Sequence, residues 1–133
     1  MFPALCGHLL QRLHRPLFAP LGLTYSQYLV MLPLWEHEPA SVGTLRDCLH
    51  LDIGTLSPLL KRMERAGFIT RQRDADDERR VLVALTARGR SLRRWAKGVP
   101  TALAELTGLK PEEVTDLRDQ TREFVAKLAA VAP

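Results

Sequence analysis

A chain of 133 residues, 46% hydrophobic and 26% charged, has the composition of one folded domain with a modest core, and this excludes a disordered or fibrous chain. Its formal net charge of +4 leans towards a polyanionic partner without specifying one. Two cysteines, Cys6 and Cys48, exclude a disulfide framework and fit free thiols in a reducing cytosol. No apolar run approaches the roughly eighteen residues of a membrane span. Met1 to Leu10 has neither the basic region nor the cleavage site of a signal peptide, so the expected location is cytoplasmic.

The first predicted element is a helix from Leu5 to Leu17, with Leu5, Leu9, Leu10, Leu13 and Leu17 at helical spacing. Pro16 and Pro20 bracket its end, and Gly22 marks a break. Thr24-Tyr25-Ser26-Gln27 fits a capping box that opens a helix from Tyr25 to about His37. Tyr28, Leu29, Leu32 and Trp35 share one face of it. Pro33 predicts a kink or an early end, and Pro39 a break. Ser41 is a plausible cap for a short helix, Val42 to about Leu49, with Leu45 and Leu49 inward. The next helix has two possible starts. Asp52 caps it, or Ser57 does with Pro58 at the first helical position. Leu56, Leu59, Leu60 and Met63 form its buried stripe, Lys61, Arg62, Glu64 and Arg65 stay outside, and Gly67 terminates it.

Two tightly joined helices, the second with a polar outer face, make a helix-turn-helix pattern, although an ordinary helical hairpin fits them as well. The residues that follow favour the first. Phe68 to Arg73 reads as a strand, Asp74 to Glu78 as a turn, and Arg80 to Leu85 as the return strand. A hairpin directly after a candidate recognition helix makes a winged helix. The helix suits a major groove and the ribbon a neighbouring groove. The charge is concentrated here. Lys61 to Arg94 holds eleven Lys and Arg against five acids, a local net of +6, so the remaining residues sum to −2.

Thr86 caps a long predicted helix, Ala87 to about Leu106, with Leu92, Trp95, Val99, Leu103 and Leu106 on one side and a kink at Gly98 and Pro100. Pro111-Glu112-Glu113 opens the last helix, with proline at the first helical position and acids where the dipole favours them. Its stripe is Val114, Leu117, Thr121, Phe124, Val125, Leu128 and Val131. A winged helix needs neither the first nor the last helix, so their stripes predict pairing with each other and with a second subunit. The expected architecture is mainly α with a small β-hairpin wing. It forms a single winged-helix domain over 1–133, with a DNA-binding lobe at about 39–86 and dimerisation helices at about 1–22 and 87–133. His8, His14, His37 and His50 are scattered, and no glycine-rich phosphate loop occurs. Neither a metal nor a cofactor nor an enzymatic activity is expected.

The residues that carry a family resemblance begin with Arg15-Pro16-Leu17, Leu23-Thr24-Tyr25-Ser26-Gln27-Tyr28 and Leu34-Trp35-Glu36-His37. The run from Leu51-Asp52-Ile53-Gly54-Thr55-Leu56 to Met63-Glu64 follows, then Gly67-Phe68-Ile69-Thr70-Arg71 and Asp77-Glu78-Arg79. In this order the chain resembles the MarR family of dimeric winged-helix regulators, and within it the organic-hydroperoxide-sensing OhrR branch. The resemblance implies a homodimer on a pseudo-palindromic operator in double-stranded DNA, acting as a repressor. It implies a recognition helix from about Asp52 in the major groove, with Asp52, Thr55, Ser57 and Lys61 as candidate contacts. In the wing, Asp77 would hold Arg79 in a minor groove, whose narrow form concentrates negative potential. Arg71, Arg73 and Arg80 would hold phosphates, which position without specifying. Ile53 departs from the small polar residue usual in the branch.

The resemblance also implies a peroxide-sensing cysteine near the start of the first helix, its thiolate held by two tyrosines across the dimer. Tyr25 matches one tyrosine, and His14 stands in place of the other. Aligned without gaps from Arg15-Pro16-Leu17, the family cysteine falls before Met1, which a start upstream of Met1 would explain. Leu5-Cys6 matches the family pair only across a six-residue gap, a turn of about 240° on a helix. Cys6 is therefore either the redox sensor or a small apolar residue packed in the dimer. The alternative effector is a small aromatic ligand. Two other classes stay in view: a thiol peroxidase using Cys6, and a winged helix that binds only protein.

Overall fold

A computed structural model describes residues 2–133, with side chains described from residue 7 onward, so the expectation for the Cys6 thiol lies outside the described residues. The chain divides into two compact units, 1–97 and 98–133.

The first unit begins with α1 (Phe2–Phe18), which continues through Pro16. A 3-10 turn (Ala19–Leu21) and Gly22, at φ 76°, close it. α2 (Tyr25–Glu36) starts at the expected capping box. Thr24 Oγ1 accepts from the Gln27 N–H at 3.2 Å, and Gln27 Oε1 accepts from the Thr24 N–H at 3.0 Å. Pro33 does not shorten the helix, which reaches Glu36 and closes on the His37 N–H to Pro33 carbonyl bond of 2.9 Å. The burial differs from the expected face. Val30, Met31 and Leu34 are buried with Tyr28 and Trp35, whereas Leu32 is exposed and Leu29 half-buried. α2 packs against α1, α3 (Val42–Leu49), α4 (Ile53–Arg65) and β3 (Val81–Leu85), so one amphipathic stripe does not describe it.

The sheet has three antiparallel strands in the order β1 (Ala40–Ser41), β3, β2 (Ile69–Arg73). Ile69 pairs with Leu85 and Arg73 with Val81, while Ala40 pairs with Val83. β1 went unread in the sequence because two residues carry no alternation. The core lies between sheet and helices, where Phe18, Leu45, Leu56, Leu60, Met63, Phe68 and Val83 are fully buried. At about 25 cal/mol per Å² of apolar surface, each such side chain contributes roughly 1.5–3 kcal/mol.

The long helix expected over 87–106 is three segments: α5 (Ala87–Ser91), α6 (Arg93–Ala96) and α7 (Val99–Thr107). Gly98 and Pro100 explain the second break, because glycine weakens a helix and proline has no N–H to donate. Nothing in the sequence marks the first, at Leu92. Trp95 and Leu106 are exposed rather than packed along one side.

The second unit holds α7 and α8 (Pro111–Val131), joined through Gly108 at φ 74°. Glu112 and Glu113 lie in the first turn of α8. Its stripe is uncovered: Leu117, Phe124, Val125, Leu128 and Val131 are all exposed.

Candidate nucleic-acid interface

α3 is capped by Ser41, whose Oγ accepts from the Thr44 N–H at 3.0 Å, and it ends at His50 in the left-handed region at φ 53°. Three residues later α4 begins. Asp52 is its cap, its Oδ1 accepting from the Thr55 N–H at 2.9 Å, which decides the start against Ser57. The side-chain bond from Thr55 holds the Asp52 carboxyl below its ordinary value. Pro58 falls inside the helix.

The two faces of α4 separate cleanly. Leu56, Leu59, Leu60 and Met63 are buried; Thr55, Lys61, Arg62 and Ile53 are exposed, with Ser57 between. Gly54 also lies on the outer face, and a Cβ there would meet nothing within 4 Å. A glycine costs a helix interior about 1 kcal/mol against alanine. The chain's own packing gives no reason for that cost. Gly54 and Arg62 are not among the contacts expected from the sequence, which places Arg62 outside and Gly54 in the first turn; both lie exposed on the outer face of α4.

The wing turn is built from its own acids. Asp74 Oδ1 accepts from the Asp76 N–H at 2.9 Å, and Asp77 Oδ1 accepts from the Arg79 N–H at 3.1 Å. The same Asp77 oxygen lies 3.6 Å from Arg79 Nε, while the Arg79 side chain is 95% exposed. Asp77 therefore orients Arg79 from behind and leaves its guanidinium to solvent. Arg80 lies 3.8 Å from Asp74, and Arg73 Nη1 donates to the Glu78 carbonyl at 2.8 Å. α3, α4 and the wing enclose an open groove of about 620 Å³, whose lining includes Ser57, Arg71, Arg79 and Arg80. Ile53, Ser57 and Leu60 of α4 thus share one concave surface with Arg71, Arg79 and Arg80, whereas Asp52, Thr55, Lys61 and Arg73 do not line it.

Arg71 is placed differently from its neighbours. Its Nη2 donates to Glu64 Oε1 and its backbone N–H to Glu64 Oε2, both at 3.2 Å, tying β2 to α4. Its Nε is buried with no hydrogen-bond partner among the described residues. The bond from Arg71 holds the Glu64 carboxyl below its ordinary value. The basic run is not wholly outward either. Arg88 Nη1 donates to the Ala66 carbonyl at 2.6 Å with its guanidinium over the Phe68 ring, and Arg90 Nε donates to Glu38 at 2.9 Å.

The residues expected to sense lie elsewhere in the same unit. His14 is buried between α1 and α2, its ring 4.9 Å from Tyr25, 5.9 Å from Tyr28 and 5.7 Å from Phe18. His14 and Tyr25 are thus brought together. His14 Nδ1 lies 2.6 Å from the Leu10 carbonyl, which can only accept, so Nδ1 carries the proton. Burial, then Tyr25, raises the Tyr28 hydroxyl above its ordinary value. Cys48 is an exposed free thiol. Among the described residues no cluster of ligands could hold a metal, and no single helix is long and apolar enough to cross a membrane.

A capped helix with a polar outer face, a β2–β3 hairpin wing on a three-stranded sheet and an arginine presented at the wing tip define a winged-helix protein. Residues 23–81 match the MarR family. The chain is 44% identical to the organic hydroperoxide resistance transcriptional regulator of Bacillus subtilis (strain 168) over 105 residues, covering 79% of this chain and 71% of that protein. It is 42% identical over 126 residues to the HTH-type transcriptional regulator TtmR of Methylorubrum extorquens (strain PA1), covering 95% of this chain and 65% of TtmR. The crystal structure of AbfR of Staphylococcus epidermidis superposes with a TM-score of 0.80 at 29% identity, covering 97% of this chain and 90% of AbfR. Overoxidized AbfR bound to DNA gives a TM-score of 0.74 at 30% identity, covering 96% and 90%. The chain belongs to the MarR family.

Proposed function

We propose that this chain is a dimeric DNA-binding transcriptional regulator of the cytoplasm, a repressor that leaves its operator on oxidation by an organic hydroperoxide. The observation that carries the DNA part is the shared concave face of α4 and the wing, with Arg79 held by Asp77 yet 95% exposed. Thr55, Ser57 and Lys61 contact bases or phosphates in the major groove, with Asp52 fixing the first turn. Arg79 enters the minor groove, and Arg73 and Arg80 hold phosphates. Arg71 acts mainly through Glu64 as a brace. The DNA-binding lobe is about 39–86.

Dimerisation uses the helices at about 1–22 and 87–133. Leu9, Leu10 and Leu13 of α1, and the stripe of α8, are large apolar side chains left in water. Burying them in a second copy is the simplest use of such surfaces. Two α4 helices about 34–36 Å apart then read a pseudo-palindromic site.

Support for oxidation comes from the likeness to an organic hydroperoxide resistance regulator and to AbfR, known in an overoxidized form on DNA, and from the His14–Tyr25 contact. A thiolate attacks one peroxide oxygen, the O–O bond breaks, the alkoxide leaves and takes a proton, and sulfur becomes a sulfenic acid. Cys6 is the candidate thiol. His14, with Nδ1 spent on Leu10, offers a donor at Nε2 only when protonated. The second reading, release by a small aromatic ligand with Cys6 uninvolved, is separated by titration of a selected duplex complex. Cumene hydroperoxide should release DNA from the wild type and not from Cys6→Ser, and salicylate should have no effect. Release by salicylate alone supports the second reading, and release of Cys6→Ser by peroxide removes Cys6 from the chemistry. Neither reading includes turnover, so steady-state consumption of peroxide should be absent.

A further inference from the structure

Ala66, Gly67 and Phe68 are the three residues between the recognition helix and the wing. Gly67 takes the left-handed conformation at φ 84°, so the angle between α4 and β2 is set here. All three carbonyls are held by the start of α5. Arg88 Nη1 donates to Ala66 at 2.6 Å. Thr86 Oγ1 lies 2.6 Å from the Gly67 oxygen and 3.2 Å from that of Phe68, and the Thr86 N–H donates to Phe68 at 3.1 Å. The same Oγ1 accepts from the Gly89 N–H at 3.0 Å, so one hydroxyl caps α5 and binds the hinge.

Gly89 completes the joint. A Cβ at this position would lie 2.2 Å from the Phe68 oxygen and 3.3 Å from Leu85 Cδ2, so only glycine lets α5 lie flush on the hinge. Its own carbonyl accepts from Trp35 Nε1 at 2.9 Å in a buried bond. Trp35 belongs to α2 and is 8% exposed. The hinge is therefore held by α5, and α5 by a core helix.

We propose that the first turn of α5 seats the wing, with Trp35, Thr86 and Gly89 as positioning residues that set where Asp77 and Arg79 stand relative to α4. This rests on the DNA-binding reading above. It also names the element through which a shift of α2, which carries Tyr25 and Tyr28, reaches the wing. A hinge whose three carbonyls are all occupied from one side turns only when that side turns.

The test is a pair of double-mutant cycles on the full chain, using a duplex selected by the wild type and read by fluorescence anisotropy at fixed salt. Trp35→Phe keeps an aromatic ring in the core but removes the indole N–H together with the pyrrole ring that carries it. It should weaken binding about tenfold, and Arg79→Ala, costing about tenfold or more in the wild type, should then cost under about twofold. Lys61→Ala, on α4 and away from the wing, should cost the same in both backgrounds. Should Trp35→Phe not fold, Thr86→Val takes its place, with Thr86→Ser restoring the wild-type cycle. Equal Arg79→Ala losses in both backgrounds overturn the proposal, as does an equal dependence of Lys61→Ala on the background, which marks general destabilisation. A wild type that binds no duplex at low salt defeats the DNA-binding reading instead.

Discussion

The first turns of α4 and α5 are built alike. Asp52 accepts from the N–H of Thr55, three residues on, and Thr86 accepts from that of Gly89 at the same spacing. Each turn contains a glycine, Gly54 in one and Gly89 in the other. Their surroundings are opposite: open space where a Gly54 Cβ would stand, and a backbone oxygen at 2.2 Å from a Gly89 Cβ. One turn has a bare outer face, while the other is filled by the chain's own hinge. On the function proposed above, the same local device serves reading in one place and seating in the other, and only long-range contacts tell them apart.

Substitutions that exchange these surroundings should break the comparison unequally. Gly89→Ala has the largest expected effect. It forces α5 off the Phe68 carbonyl, a backbone atom that cannot swing away, at a cost of about 3 kcal/mol or more in folding stability, the upper end of overpacking, measured by urea unfolding. Full stability would mean that α5 does not need its close approach. Arg79→Ala comes next. It should leave unfolding unchanged and weaken duplex binding by about 1–3 kcal/mol at fixed salt. An unchanged affinity removes the wing tip from the interface.

Gly54→Ala is smaller and has opposite signs in two assays. Folding should gain up to about 1 kcal/mol, because alanine favours the helix and meets no obstacle. Duplex binding should weaken, since the added methyl occupies space kept for the groove. A gain in both would show that the open position is merely tolerated.

The smallest effect is that of pH. Hydrogen bonding holds the Asp52 and Glu64 carboxyls below their ordinary values in the folded chain. The stability they contribute is therefore fully present above the ordinary carboxylate range and is lost as the pH falls through the lowered values. Both groups are exposed, which limits the size of the effect. Thermal unfolding of Glu64→Gln should lose part of the acid-side slope seen in the wild type; an identical slope would leave Glu64 uninvolved.

The caps were legible from sequence because a cap is a contact over three residues. Thr24, Ser41 and Thr86 each place a short polar side chain directly before a helical stretch. The start of α4 was not, since Asp52 and Ser57-Pro58 both satisfy the same rule and only the Thr55 bond decides. Arg71 reads as a phosphate contact like Arg73 and Arg80, and Arg88 as one more charge in the basic run. Their partners, Glu64 and the Ala66 carbonyl, are seven and twenty-two residues away. The stripe of α8 was readable as an apolar face, and it is left uncovered within the described residues.

The most direct measurement of DNA reading by helix and wing together is the salt dependence of wild-type binding to a selected duplex. Several phosphate contacts from Lys61, Arg73 and Arg80 should make affinity fall steeply between roughly 50 and 200 mM salt, linearly on logarithmic axes. A flat dependence, or no binding to any duplex at low salt by a folded chain, contradicts it.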